Sequence, residues 1–307
     1  MTDADSPQQK NHRVDEDARN HLESLREQVD QFSDLLCENS IPRPGSAFDQ
    51  EEGILSIRSP RDVSTVAMLN ALDHLRLLSD HALSTSRITA FASFTLIRSA
   101  ITAAGLAGWL LSADGSTERL RRTLVITYYE LKNARTAARE LDGNPRPETP
   151  ENASYNLRLK AASSVIRKYS EQLDKVQSDA IQNGIAKGTS KEELICITDK
   201  PSDTTTITEA SKLISSDLSY YHDFGATKEV VRVWRTMSAH AHGLSWAAEL
   251  TATIEVKSDG TSVMTWNPQG EDLLQGIQVA WDLLYGACKR YIELLGAQPE
   301  SSSQNMQ

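Results

Sequence analysis

Apolar residues recur along the first part of the chain at the spacing of an amphipathic helix. Leu22, Leu25, Val29, Phe32 and Leu36 follow one another in steps of three and four, which predicts a helix over about residues 15–38. The segment IPRPGS follows, and its two prolines and its glycine cannot continue a helix. The same reasoning predicts further helices over about 62–85, 87–112, 117–141, 206–218, 227–242 and 269–296, and a short one capped by Ser190 and Glu193.

The most regular pattern is a heptad seam between residues 155 and 180. Its members are spaced 4-3-4-3-4-3-4 without a slip, and they are Tyr155, Leu159, Ala162, Ile166, Tyr169, Leu173, Val176 and Ala180. This spacing predicts a helix of about 30 residues, roughly 45 Å long. Two interpretations remain open at this point, a long helix within a bundle and a coiled coil between chains.

The period changes to two near the end of the chain. Leu250, Ala252, Ile254 and Val256 alternate with polar residues, which is typical of a strand. Residues 258–261, Ser-Asp-Gly-Thr, are typical of a hairpin turn, after which residues 263–266 can return as a second strand. The predicted fold is therefore mainly α, a helical bundle with one long heptad-patterned helix and a single late β-hairpin.

Charge is unevenly spread along the chain, whose formal net charge is −10. Residues 1–60 carry 13 acidic and 6 basic side chains, which argues against nucleic-acid binding through general positive charge. Residues 1–20 and 297–307 are rich in Asp, Gln, Ser and Asn, so we expect disordered tails there. The helical body then spans residues 21–296, either as one unit or as two helical halves that meet near 143–151.

The cysteines and the apolar stretches indicate a cytoplasmic protein. Cys37, Cys196 and Cys288 lie far apart and form no CxxC pair, so neither a disulfide framework nor a thiolate zinc site is predicted. A reducing compartment is the expected one, and the N-terminus has no signal-peptide pattern. Residues 99–111 are 13 uncharged residues, fewer than the roughly 20 that span a membrane, so we expect a buried core helix and no membrane partner.

Common catalytic signatures are absent from the sequence. It contains no G-x-G-x-x-G after a strand, no H-E-x-x-H and no G-x-S-x-G. His74 and His81 share a predicted helix but stand about 10 Å apart along its axis, too far to hold one metal ion together. We therefore expect no cofactor and no metal. The remaining candidate for a catalytic site is the segment VVRVWRTMSAHAHGLSW. In it, four residues separate Arg235 from His240, and His242 follows two positions later.

This spacing resembles the R-x(4–6)-H motif of HEPN-domain proteins, helical bundles of which many are metal-independent ribonucleases in bacterial toxin or defence systems. The resemblance implies that Arg235 steadies the scissile phosphate, that His240 moves the proton of the 2′-hydroxyl, and that His242 is the alternate base. It also implies a homodimer and RNA as partners. Guanidinium clamps phosphate oxygens and imidazole titrates near neutrality, so the residue types suit this chemistry. Thr236 departs from the family pattern, in which Asn, Asp or His often follows the arginine.

The same segment also has a structural interpretation, as a helix C-terminus. Residues five apart on a regular helix point about 140° away from each other, so Arg235 and His240 do not share a face, whereas Arg235, Ser238 and His242 do. His240 and His242 then stand in the last turn, with Gly243 as the left-handed cap. The alternative to a ribonuclease is a non-catalytic helical interaction or scaffold protein that assembles through the helix at 155–180.

A broader resemblance covers about 180 residues. The segments ALDHLRLL, FASFTLIRSAITAAGLAGWLL, the basic helix after them and SAHAHG occur in the same order in a family of bacterial helical proteins to which no activity is assigned. The resemblance supports the helical prediction and implies no function. The basic helix carries six basic residues against three acidic ones, Arg119, Arg121, Arg122, Lys132, Arg135 and Arg139 against Glu118, Glu130 and Glu140, and we expect it to present a solvated face.

Overall fold

The structure is a computed structural model, and it describes residues 12–13, 16–38, 41–85, 87–88, 90–141, 143–214, 221, 225–247, 253–256, 258–259, 261–265 and 270–296. The first helices are α1 Glu16–Glu38, α2 Ala47–Glu51, α3 Pro60–Thr85, α4 Ala90–Leu111 and α5 Ser116–Glu140. They are followed by α6 Ala153–Gln182, α7 Ile195–Thr198, α8 Asp203–Ala210, α9 Ala226–Ala241 and α10 Gly270–Leu294. Two 3₁₀ turns, Pro150–Asn152 and Ser211–Leu213, precede α6 and follow α8.

The chain is mainly α-helical, which confirms that part of the predicted fold class. Most long helices begin and end within a few residues of their predicted limits, because the apolar stripe that defines them is local in sequence. Helix α1 begins at Glu16 and buries Ala18, so the tail predicted over residues 1–20 extends too far. Apart from residues 12–13 and 16–20, that tail lies outside the described residues, as do residues 297–307 and the end of the helix predicted over 206–218.

Strands are minor elements of the fold. His12–Arg13 pairs antiparallel with Arg87–Ile88, a pair that the sequence does not predict. Thr253–Val256 pairs antiparallel with Ser262–Thr265, with Thr253 opposite Thr265. Leu250 and Ala252, which begin the predicted strand, lie outside the described residues.

Helix α4 lies at the centre of the bundle, packed against α3, α8, α9 and α10. Ile101, Ala104 and Leu110 are fully buried, as predicted for the uncharged stretch of this helix, and Ile97 before that stretch is fully buried too. Gly108 lets α8 approach closely, because a Cβ added there would lie 2.7 Å from the Cβ of Ala210. Among the described helices, Ala92–Leu111 is the one that is long and apolar enough to cross a membrane, but most of it is covered by the rest of the protein.

Helices α5 and α6 form an antiparallel hairpin, and its turn includes the described residues 143–149. The hydrophobic core contains Leu124 of α5 and Leu173 of α6 together with residues of α1, α3, α4 and α10. Residues on both sides of 143–151 therefore share one core. The segment is the turn of a hairpin, and the division of the helical body into one unit or two halves stays a prediction.

The predicted heptad seam lies on α6, a helix of 30 residues, and α5 is its main packing partner. Five seam residues are buried and the other three are half-buried; the buried ones are Leu159, Ala162, Leu173, Val176 and Ala180. The seam is thus largely covered within one chain. The geometry supports the interpretation as a long helix within a bundle.

Candidate functional site

Helix α9 carries the sequence-predicted site and ends in a Schellman motif. The N–H of Gly243 donates to the carbonyl of His240 at 3.1 Å, and the N–H of Leu244 donates to the carbonyl of Ala239 at 2.9 Å. Gly243 has a φ of +66°, a conformation that glycine adopts without a steric penalty. The predicted left-handed cap at Gly243 is confirmed.

His240 faces the interior of the bundle. Its side chain leaves the residue only 4% exposed, and its ring stacks on Phe94 of α4 with the centroids 4.3 Å apart. Burial lowers the pKa of His240, because the protonated ring loses solvation. Arg235 lies on the exposed side of α9. The structure therefore does not bring Arg235 and His240 together.

His242 and Arg235 lie on the same side of α9. Both are exposed, and seven residues of a helix return to nearly the same direction after a rise of about 10 Å. Ser238 lies between them, and the Nε of Arg98 from α4 donates to its hydroxyl at 3.1 Å. We call Arg98, Arg235, Ser238 and His242 the α9 outer surface; it presents two guanidinium groups and one imidazole to solvent.

A second candidate site is the part of the α5–α6 hairpin between residues 132 and 168, which we call the distal hairpin. Among the described residues, none in this range belongs to the hydrophobic core of the bundle. Leu157 is 69% exposed and Leu141 is 71% exposed. The segment carries eight basic residues against four acidic ones, Lys132, Arg135, Arg139, Arg146, Arg158, Lys160, Arg167 and Lys168 against Glu140, Asp142, Glu148 and Glu151.

A groove of about 540 Å³ runs along the tip of the distal hairpin. One wall is the loop at residues 143–148, and the other is the face of α6 from Asn156 to Arg167. The side chain of Asn156 joins the two walls: its Nδ2 donates to the carbonyl of Arg146, and its Oδ1 accepts from the N–H of Arg146, both at 3.0 Å. The guanidinium of Arg146 lies 4.2 Å from the ring centroid of Tyr155, a cation–π contact. The groove thus has a defined shape.

Polar contacts fasten the base of the hairpin to the bundle. Asp179 of α6 accepts from the N–H and the hydroxyl of Ser56, at 2.8 and 2.7 Å. Arg119 of α5 donates from Nε to Glu51 of α2 at 3.0 Å, and both side chains are buried. Hydrogen bonds from Arg121, and then from Arg122, lower the pKa of Glu118 to about 2. Basic residues at the base are thus paired with carboxylates.

The described residues contain no group of three or more His, Cys, Asp or Glu that could hold a metal ion. In comparisons with known proteins, no family, no curated protein and no solved structure matches this chain. The resemblance to HEPN proteins and the broader resemblance to bacterial helical proteins therefore stay predictions. The α9 outer surface and the distal hairpin are the two candidate sites of function.

Sequence reasoning missed two components of these surfaces. Arg98 reaches Ser238 from another helix, 140 residues earlier in the chain, and no local spacing reports such a contact. The groove was also missed, although three prolines at 145, 147 and 150 stiffen the chain there and were a usable signal. Prolines that end one helix can also hold the following loop against the next helix.

Proposed function

We propose that this chain is a non-catalytic interaction protein that uses its distal hairpin to bind an acidic surface of another protein. The observation that carries the proposal is a basic helical arm that lies outside the hydrophobic core of an otherwise acidic chain. Packing of the core gives no reason for such an arm, whereas a positive surface is complementary to a negative partner and speeds its association. Exposed Leu141 and Leu157 add apolar area that a protein partner can cover.

A protein partner is favoured over a nucleic acid for two reasons. The chain as a whole carries a net charge of −10, which repels a long polyanion. Acidic residues are also interspersed among the basic ones of the hairpin, whereas phosphate binding favours clustered Lys and Arg. An interaction protein is the alternative to a ribonuclease that the sequence leaves open, but the proposed surface is now the outer faces of the hairpin and not the heptad seam, because α5 packs against the seam.

Charge reversal at matched positions tests the proposal. The first variant replaces Lys132, Arg139, Arg158 and Lys168 by Glu, all four being exposed residues of the distal hairpin. The control replaces Lys187, Lys191, Lys228 and Lys289 by Glu, exposed residues outside the hairpin. Both variants have the same net charge, so any difference in partner binding between them is due to where the charges lie.

Tagged full-length proteins are used for quantitative affinity purification from the native host. We expect acidic partners to be recovered with the wild type and with the control. The amount recovered with the hairpin variant should be at least about fivefold smaller. Recovery should also fall at high salt, because salt screens the contacts between charges. Equal recovery by both variants, or partners that are basic, would sink the proposal. Circular dichroism checks that both variants retain their helix content.

A metal-independent ribonuclease is the second candidate function, and one observation favours it. Arg235 and His242 are both exposed on one side of α9, with Arg98 bonded to the Ser238 hydroxyl between them. In this version His242 moves the proton of the 2′-hydroxyl, because His240 is stacked beneath Phe94, and Arg235 holds the phosphate.

Cleavage of single-stranded RNA in the presence of EDTA tests this candidate. We expect Arg235→Ala and His242→Ala to lower the cleavage rate about 100-fold or more without changing the melting temperature. His240→Ala should instead lower the melting temperature. A wild-type protein that leaves RNA intact, or an activity that survives both substitutions on the outer surface, rules the ribonuclease out.

A further inference from the structure

We infer that the groove at the tip of the distal hairpin binds an extended acidic peptide, whose carboxylates pair with Lys160 and Arg167. This inference rests on the proposed interaction function and specifies the chemistry that one part of the hairpin recognises. The ligand of the groove is a protein segment in which acidic and apolar residues alternate.

The dimensions of the groove fit an extended peptide. The wall formed by α6 runs from Asn156 to Arg167, eleven residues along the helix, and at 1.5 Å per residue this span is about 16 Å. An extended chain advances about 3.3 Å per residue, so the groove accommodates about five residues. The groove is open along its length, which suits a strip of polypeptide better than an enclosed small molecule.

The charges of the groove select an anion. Arg146, Lys160 and Arg167 line it together with one acidic residue, Glu148. Among the described residues, neither Lys160 nor Arg167 has a carboxylate within the 4.0 Å of an ion pair, unlike Arg121 and Arg122 at the hairpin base. Their charges are therefore available to a ligand.

Two lining residues of the groove are suited to apolar side chains. They are Pro145 of the loop wall and the buried Leu159 of the α6 wall, and the hydroxyls of Ser163 and Ser164 add hydrogen-bonding groups along the α6 wall. Successive side chains of an extended peptide point to opposite sides. A segment that alternates acidic and apolar residues can therefore place its carboxylates on Lys160 and Arg167 while its apolar side chains cover Leu159 and Pro145.

The loop wall is already held in position before a ligand arrives. Asn156 bonds both backbone groups of Arg146, Asn152 donates to the carbonyl of Pro147 at 3.1 Å, and Tyr155 supports the Arg146 guanidinium. A wall fixed in this way loses little conformational freedom on binding, so more of the interaction energy appears as affinity. The groove is thus a preformed site.

Fluorescence anisotropy with the full-length protein tests the inference. The probe is a labelled peptide that alternates Glu with Leu, and a peptide with Lys in place of Glu is its counterpart. We expect binding of the acidic peptide alone. The double variant Lys160→Glu/Arg167→Glu should raise the Kd at least about tenfold, which corresponds to about 1.4 kcal/mol. Lys187→Glu/Lys191→Glu, with the same change of charge at exposed positions outside the distal hairpin, should change it less than about threefold.

Each other result overturns the inference. Absence of binding by the wild type, or an equal loss in the two double variants, removes the groove as the site. Stronger competition by inorganic phosphate or by single-stranded RNA than by unlabelled acidic peptide assigns the groove to phosphate instead. The two proposals can fail separately, because the four-residue hairpin variant leaves Lys160 and Arg167 intact. If that variant loses its partners while the wild type does not bind the peptide, only the groove is excluded as a binding site.

Discussion

At the scale of single residues, the His240 side chain shows what burial does to a candidate catalytic group. Its ring is stacked on Phe94 and removed from solvent, and burial lowers its pKa. A ring held in the neutral form inside a bundle contributes apolar area and shape to the core. Its neighbour His242, two residues later, remains exposed at the helix end.

The lowered pKa of His240 predicts a pH dependence of stability. An unfolded histidine has a pKa of about 6.5, so as the pH falls below that value the unfolded chain binds a proton that the folded chain resists. The free energy of unfolding therefore falls on acidification. His240→Phe keeps an aromatic ring on Phe94 without a titrating group and should reduce this fall between about pH 7.5 and pH 5.

Urea unfolding at the two pH values measures the difference. The decrease in the free energy of unfolding on acidification should be smaller in His240→Phe but still present, because burial also lowers the pKa of His21 and of His74. His242→Phe serves as the control and should keep the wild-type pH dependence. If His240→Phe shows the same loss of stability on acidification as the wild type, then His240 is not held neutral by the fold.

The cap at Gly243 could be predicted from sequence and the burial of His240 could not. A helix end depends on residues that are adjacent in the chain, and Gly243 reports it directly. Burial depends on what covers a residue, and Phe94 comes from a different helix. The spacing of Arg235 and His240 gives their angular separation on α9, which is why their opposite orientation could be predicted but the burial of His240 could not.

At the scale of elements, the α5–α6 hairpin shows the corresponding limit for a whole helix. The heptad spacing predicted the length and the apolar stripe of α6, because that periodicity is a property of the helix alone. It did not say whether α5 or another chain covers the stripe. The loop at 143–151 was equally ambiguous, since prolines and a glycine mark both domain linkers and hairpin turns.

Leu173→Ala tests whether the seam is covered within one chain. Leu173 is 3% exposed in the core, so removing its buried methyl groups should lower the free energy of unfolding by about 2–5 kcal/mol. The mass in solution, measured by light scattering, should not change. Leu157→Ala removes the same atoms from an exposed position of α6 and should change stability by less than about 0.5 kcal/mol. A change of oligomeric mass in Leu173→Ala would contradict an intramolecular seam.

At the scale of the whole molecule, a basic hairpin is attached to an acidic chain by polar contacts at its base. Ser56 with Asp179 and Glu51 with Arg119 connect the region between α1 and α3 to the base of the hairpin. Residues far apart in sequence meet at both contacts. The stability of these contacts therefore determines how firmly the distal hairpin is held on the bundle.

The buried Arg119–Glu51 pair should behave differently when one partner or both are removed. Glu51→Leu leaves the Arg119 guanidinium buried without its carboxylate, and Arg119→Met leaves the carboxylate without its cation; each should lower the free energy of unfolding by about 3–5 kcal/mol. The double variant, with two apolar side chains of similar size, should recover most of that loss, because desolvation of the charges is no longer required. Urea unfolding of all four proteins measures the coupling.

Glu293→Gln, which breaks the exposed pair with Arg290, should lower the free energy of unfolding by less than about 1 kcal/mol and serves as the control. Single variants as stable as the wild type would show that the pair does not fasten the hairpin to the bundle, and its attachment would then depend on the Ser56–Asp179 hydrogen bonds and the apolar contacts of Leu173 and Val176.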